Sequence, residues 1–313
     1  TEAAGGSNTD DFTVVLSGQP EGNVVFDITS LDTGEAVASP TSLVFTPGNY
    51  ALPQSVTVSG VDDDIIDGSQ TTDITVSINQ AATTPLFDPV AAQTVSATTI
   101  DDDVAGFTIV ESGGTTVTEA SGANNIDTYT VVLDAEPASD VVISVVSANT
   151  AEATVAPALL TFTPVNWSAA QTVTVTGVDD DVDDGNQVTV ITVQVVDASS
   201  DDDFDALSHQ EVAATTVDDD VAGITVVPTS GLTTTEAGGT DDFDVVLDTE
   251  PTADVTISLS SDDTSEGTVT GTPLTFTSLD WDTPQTVAVT GVDDGVDDGD
   301  VPYTIVTAAA VST

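Results

Sequence analysis

The sequence predicts an all-β chain of three tandem two-sheet sandwich modules, the first and last incomplete at the chain ends. Two regularities carry this reading, a hydrophobic period of two along the chain and a much longer repeat of whole segments. Within a segment, Val24, Phe26 and Ile28 alternate with small or polar residues, as do Val141, Ile143, Val145 and Val255, Ile257, Leu259. Val56 and Val58, Val173 and Val175, and Val287 and Val289 do the same further on. Alternation of this kind places every second side chain on one face, the signature of a strand with one buried side. Val, Thr and Ile enrichment, turn clusters between the runs and the lack of any helical periodicity fit about seven antiparallel strands per module.

The long repeat sets the module boundaries. Glu2, Glu119 and Glu236 each follow a threonine and precede an alanine, at a spacing of 117 residues. "GVDDDIIDG" at 60–68 returns as "GVDDDVDDG" at 177–185 and "GVDDGVDDG" at 291–299, the last three residues early because the loop between Glu236 and Phe243 is shorter. "TTIDDDVAG" at 98–106 returns as "TTVDDDVAG" at 215–223. The reading is therefore modules 1–104, 105–221 and 222–313. A strand-rich unit of about 115 residues is the size of an immunoglobulin-like Greek-key β-sandwich and can bury one core without disulfides. By this alignment module one lacks a first strand, because only Thr1 precedes Glu2, and module three lacks its closing strand.

Charge is the third constraint. An ordinary chain of this length carries about 35–40 lysines and arginines; this one has none, against 54 aspartates and glutamates and one histidine, a formal charge of −54. Two carboxylates about 4 Å apart repel by roughly 4 kcal/mol at an effective dielectric near 20, and a few such pairs rival the whole stability of a domain. Neutralisation must come from outside the chain, and bound metal ions supply it most economically. Disorder is disfavoured, since 39% of residues are hydrophobic and patterned. Nucleic acid is excluded as a partner for want of any group to neutralise phosphate. No apolar run approaches the roughly 20 residues of a membrane span, so membrane insertion is not expected. Thr1–Gly5 has neither the basic start nor the apolar core of a signal peptide, and the chain reads as a mature or excised segment.

Three motifs, in order and in phase, resemble the Calx-beta family: "TVTEASG" at 116–122, "GVDDDVDDG" at 177–185 and "TTVDDDVAG" at 215–223. The bacterial adhesin and matrix branch of such repeats is the nearer likeness. The resemblance implies a calcium-binding sandwich whose ligands meet at one pole. In module two it implies Glu119, Asp179, Asp180, Asp181, Asp183, Asp184, Asp218, Asp219 and Asp220. In module one it implies Glu2, Asp62, Asp63, Asp64, Asp67, Asp101, Asp102 and Asp103, and in module three Glu236, Asp293, Asp294, Asp297 and Asp298. Ca²⁺ takes six to eight oxygen ligands, which suits this set, and with no cysteine and only His209 available zinc and copper do not.

Other residues carry less. Asp32, Asn149 and Asp263, with Glu35, Glu152 and Glu266 three residues on, fit either further ligands or turn caps. Tyr50, Trp167 and Trp281 share one position and read as packing anchors. Gly68, Gly185 and Gly299 end the acidic loops, where a positive φ is expected. A catalytic triad would need His209, and no nucleophile elbow surrounds any serine, so an enzyme is not expected.

The expected function is a calcium-stabilised extracellular structural repeat protein forming a stiff rod or filament, such as an adhesin stalk, biofilm matrix or surface fibre. The alternative is a carbohydrate- or protein-binding adhesin module. Either the segment continues in a longer array, or copies complete one another head to tail by strand addition. Millimolar calcium outside cells, and the lack of any site for trypsin-like proteases, place it at a microbial cell surface or beyond.

Overall fold

The computed structural model describes residues 1–2, 8–87, 89–120, 125–297 and 299–312. Strands form where the alternation runs, and their burial follows it. Thus Val141, Ile143 and Val145 point inward and Val142 and Ser144 are only half-buried. The first repeat contains β1 (Thr9–Val14), β2 (Val24–Ser30), β3 (Ala36–Ser39), β4 (Ser42–Phe45), β5 (Gln54–Gly60), β6 (Gln70–Ile78) and β7 (Gln93–Thr99). They pair as β1-β5-β3 and β4-β2-β6-β7. The second contains β8 (Phe107–Glu111), β9 (Thr115–Thr118), β10 (Ile126–Leu133), β11 (Val141–Ser147), β12 (Ala153–Ala156), β13 (Leu159–Phe162), β14 (Gln171–Gly177), β15 (Gln187–Val195) and β16 (Gln210–Val217). Their orders are β12-β14-β10-β8 and β13-β11-β15-β16-β9.

The third repeat contains β17 (Ile224–Val227), β18 (Thr240–Leu247), β19 (Val255–Ile257), β20 (Leu259–Ser261), β21 (Gly267–Thr270), β22 (Leu274–Phe276), β23 (Gln285–Gly291), β24 (Ile305–Thr307) and β25 (Val311–Ser312). Here one sheet runs β17-β18-β23-β21, while the other is divided into β22-β19-β25 and β20-β24. The fold is all-β, of immunoglobulin-like sandwich type. Among the described residues three clusters of buried side chains form, around Phe26, Phe45 and Ile74, around Ile143, Phe162 and Ile191, and around Phe243, Phe276 and Val287. Each large apolar side chain buried in them contributes about 1.5–3 kcal/mol. No helix among the described residues is long and apolar enough to cross a membrane.

One feature departs from the expected all-antiparallel pattern. The opening strand of the second repeat is two strands, β8 pairing antiparallel with β10 in one sheet and β9 pairing parallel with β16 in the other. Gly113 and Gly114, both at φ +91°, make the crossing between sheets, a backbone conformation that side chains with a Cβ rarely adopt. This crossing carries the residues after β9 to the pole where the acidic loop begins.

Tyr50, Trp167 and Trp281 each pack against the cluster of their own repeat, and their carbonyls accept from Leu16, Leu133 and Leu247 N–H. Successive repeats also touch. Ile65 forms a parallel bridge with Glu136, whose N–H donates to the Asp64 carbonyl at 2.7 Å, and Ile66 packs on the second cluster. One repeat later Glu250 N–H donates to the Asp181 carbonyl, again at 2.7 Å.

Candidate metal centre

The pole of the second repeat is assembled by backbone pairing before any carboxylate is considered. Glu119, directly after β9, donates its N–H to the Val217 carbonyl at 3.1 Å, so it is fixed beside the start of 218–220. Its neighbour Thr118 passes so close to Gly177 that a Cβ there would overlap the Thr118 carbonyl oxygen. The glycine opening the acidic motif is thus a matter of clearance: it lets the glutamate-bearing segment lie against the end of β14. Gly60 stands in the same relation to Thr1, and Gly291 to Thr235. The closing glycines Gly68, Gly185 and Gly299 have φ between +70° and +81°, as a tight turn out of the loop requires.

Onto this frame the carboxylates converge. Glu119 is 1% exposed, and neither of its oxygens has a hydrogen-bond partner. Glu119, Asp218 and Asp220 offer carboxylate oxygens lying within 4.8 Å of one another, and Glu2, Asp101 and Asp103 do the same in the first repeat. Glu2 is likewise 1% exposed with both oxygens unpartnered. Burial, followed by the charges of Asp180, Asp218, Glu152 and Asp184, pushes the Glu119 carboxyl up to about 7. Burial, then Asp63, Asp101, Glu35 and Asp67, does the same to Glu2, also to about 7. Asp103 and Asp220 are raised as well, first by burial and then by the neighbouring aspartates.

Glu152 and Glu35 belong to this constellation. Each leaves one buried oxygen without a hydrogen-bond partner, and each is raised by burial and by acidic-loop aspartates, Asp184 and Asp180 for Glu152, Asp67 and Asp63 for Glu35. Three residues earlier, Asp32, Asn149 and Asp263 accept from Gly34, Ala151 and Ser265 N–H at 3.0–3.1 Å, which makes them turn caps.

The remaining acidic residues sort by position. Within the triads, Asp218 and Asp220 face the glutamate while Asp219 is exposed; Asp102 is exposed between Asp101 and Asp103 in the same way. Asp218 and Asp101 also hold the acidic loops, accepting from Gly185 N–H at 2.6 Å and Gly68 N–H at 2.7 Å. Asp180 and Asp63 are half-buried, each turning one oxygen to the backbone of Val182 or Ile65. Asp62, Asp64, Asp179 and Asp181 are exposed, and Asp183 accepts from Ala222 N–H at 2.8 Å, at the start of the next repeat. In the third repeat Glu236, Asp293, Asp294 and Asp297 are all exposed, and Asp298 lies outside the described residues.

An ionised carboxylate removed from water without a partner is expensive, and it persists only with a counter-charge or a proton. Among the described residues the one ion pair is His209 with Glu211 at 3.6 Å, exposed and at the opposite end of β16 from Asp218. The donor set is all oxygen, mixes buried and half-buried carboxylates, and contains no nitrogen or sulfur. That chemistry fits a hard divalent cation of the size of Ca²⁺.

No family model matches the chain, and no curated protein matches it. Solved structures do. The surface layer protein SbsC, domains 1–6, is 15% identical over 91% of this chain and 32% of its own length, with a TM-score of 0.31. CBD12 from CALX1.2 is 14% identical over 64% of this chain and 79% of its own, with a TM-score of 0.29. The apo form of the Calx CBD1 domain is 16% identical over 34% of this chain and 92% of its own, with a TM-score of 0.24.

Proposed function

We propose that the chain is a calcium-stabilised extracellular structural protein in which three sandwich modules, 1–104, 105–221 and 222–313, form a stiff rod. The observation that carries this reading is the twice-built pole, a buried glutamate with two orphaned oxygens facing two aspartates. Glu119, Glu152, Asp180, Asp184, Asp218 and Asp220 would hold the cation in the second module. Glu2, Glu35, Asp63, Asp67, Asp101 and Asp103 are their counterparts 117 residues earlier. Bound there, calcium supplies positive charge that the chain itself lacks. The residues do the rest: the strands fix the glutamate, and the glycines give the loop room to approach it.

The same loop reaches the next module, which is why charge at the pole bears on stiffness. Asp181 offers its carbonyl to Glu250, Asp183 its carboxylate to Ala222, and Asp64 its carbonyl to Glu136. Loops whose aspartates repel one another hold these junction contacts poorly; neutralised loops hold them at a fixed angle. A job done by repetition suits a stalk, matrix or fibre, and calcium at extracellular levels suits its location. Small-angle scattering of the whole chain tests the rod: with calcium the maximum dimension should be that of an extended, rigid array. Scattering that is unchanged by chelation, with the modules still folded, would count against it.

A further inference from the structure

The acidic loops of the first two repeats close on Asp-Gly-Ser-Gln at 67–70 and Asp-Gly-Asn-Gln at 184–187. An Asp-Gly bond is the peptide most open to attack by its own nitrogen, since glycine brings no Cβ to hinder the approach. In both loops the aspartate is exposed, the glycine has φ of +70° or +74°, and nothing lies within 4 Å of the place a Cβ would take. Left free, such a bond cyclises: the glycine nitrogen bonds to the aspartate Cγ and loses its proton, and a carboxyl oxygen leaves as water. Water then adds back to either carbonyl of the cyclic imide, returning aspartate or isoaspartate, with no change of oxidation state.

That bond is held at both of its polar ends. Gly185 N–H donates to Asp218 Oδ2 at 2.6 Å, and Gln187 Nε2 donates to the Asp184 carbonyl at 3.2 Å. In the first repeat Gly68 N–H donates to Asp101 Oδ2 at 2.7 Å, and Gln70 Nε2 donates to the Asp67 carbonyl at 3.0 Å. Gln70 and Gln187 open β6 and β15, so the sheet fixes their own backbone. To react, the peptide plane has to turn its nitrogen onto the aspartate side chain and that nitrogen has to shed its proton. The paired hydrogen bonds oppose the turn, and the Asp101 or Asp218 charge beside the nitrogen opposes the anion.

We infer that Asp67–Gly68 and Asp184–Gly185 are isoaspartate-forming sites held shut by these clamps, Asp101 with Gln70 and Asp218 with Gln187. Isoaspartate there would add a carbon to the backbone of the loop and draw the carboxylate back toward the main chain, so the loop that meets the next repeat would lose its shape. Both contacts are made between protein groups alone, and the clamp does not depend on the calcium reading.

The test ages the whole chain and its Asp218→Ala, Asp218→Asn and Gln187→Ala variants at neutral pH in chelator, below the melting temperature, beside the denatured parent. Isoaspartate at 67 and at 184 is counted separately by electron-transfer fragmentation of peptic peptides, with hydrogen exchange over β14 and β15 followed in each sample. Position 67 is the internal reference, because its own clamp is untouched. In the folded parent both positions should convert far more slowly than in the denatured chain. Asp218→Ala should bring position 184 close to its denatured rate and leave 67 unchanged. Asp218→Asn, which keeps an acceptor without the charge, and Gln187→Ala should each raise 184 by less. A folded parent that converts at both positions as fast as the denatured chain overturns the proposal. So does Asp218→Ala with β14 and β15 still protected and 184 converting no faster than in the parent. Where Asp218→Ala opens the sheet, Gln187→Ala decides, and an unchanged rate at 184 in that variant overturns the clamp.

Discussion

The second and third repeats carry near-identical acidic loops at 177–185 and 291–299, yet Glu119 is buried at its pole and Glu236 is exposed at the equivalent one. The loop therefore does not make the site. In the second repeat the Val217 carbonyl fixes Glu119 and Asp218 fixes Gly185. In the third, the Thr235 carbonyl instead closes a tight turn with the N–H groups of Gly238 and Gly239. Within the loop, Asp294 accepts from Val296 N–H just as Asp180 accepts from Val182 N–H, so that contact is common to both repeats. Strand pairing concentrates the carboxylates, and under the proposed function that concentration would be what calls for a cation.

This contrast makes the thermal response of the repeats unequal. At a calcium concentration about 100-fold above Kd, each occupied pole adds about 2.7 kcal/mol to its own repeat, which for a unit near 100 residues is roughly 10–20 °C in Tm. Calorimetry with and without chelator should show transitions of the first two repeats moving by that amount and a third moving little. Three equal shifts would erase the distinction.

Substitution at the glycines that open the acidic loops comes next. Gly177→Ala puts a methyl into the Thr118 carbonyl, and Gly291→Ala does the same to Thr235; each is expected to cost about 1–3 kcal/mol of overpacking. Only the first should also weaken calcium binding, as measured by calorimetric titration, because only there does the displaced segment carry a buried glutamate. Glu152→Gln should lower calcium affinity less than Glu119→Gln, since Glu152 leaves one oxygen orphaned and Glu119 two.

A further effect is on pH. Glu2 and Glu119 sit near 7 in the folded protein against 4.5 for the free group. Between these values the folded state holds protons that the unfolded chain has released, so stability without calcium falls as pH rises from about 4.5 to about 7. Chelated protein should melt higher at pH 5 than at pH 8, and calcium, by supplying the counter-charge instead, should flatten that slope. A chelated protein that gains stability over this range would contradict the burial of these glutamates.

Much of this was readable in the residues. Alternation announces β11 and β14 in one pass, and the spacing of Glu2, Glu119 and Glu236 announces the repeats. What hid was parity and partnership. A run such as Asp218-Asp219-Asp220 looks uniform, although extended backbone must turn its middle member away, as it does. Glu152 could be taken for a turn residue because Asn149, three positions before it, is one. The crossing at Gly113-Gly114 gave no local sign of which sheet β9 would join, since a parallel pair with β16 is made by residues about a hundred positions away. In the third repeat the loop is intact while Glu236 is exposed, because burial of the glutamate depends on strand pairing outside the loop.

Calcium stoichiometry of the whole chain, measured by titration calorimetry beside a Glu2→Gln, Glu119→Gln double variant and a Glu236→Gln variant, bears hardest on the account. The tight phase should vanish in the double variant and survive unchanged in Glu236→Gln. A double variant that still binds calcium with the affinity of the parent chain would show that the buried poles are not where the cation goes.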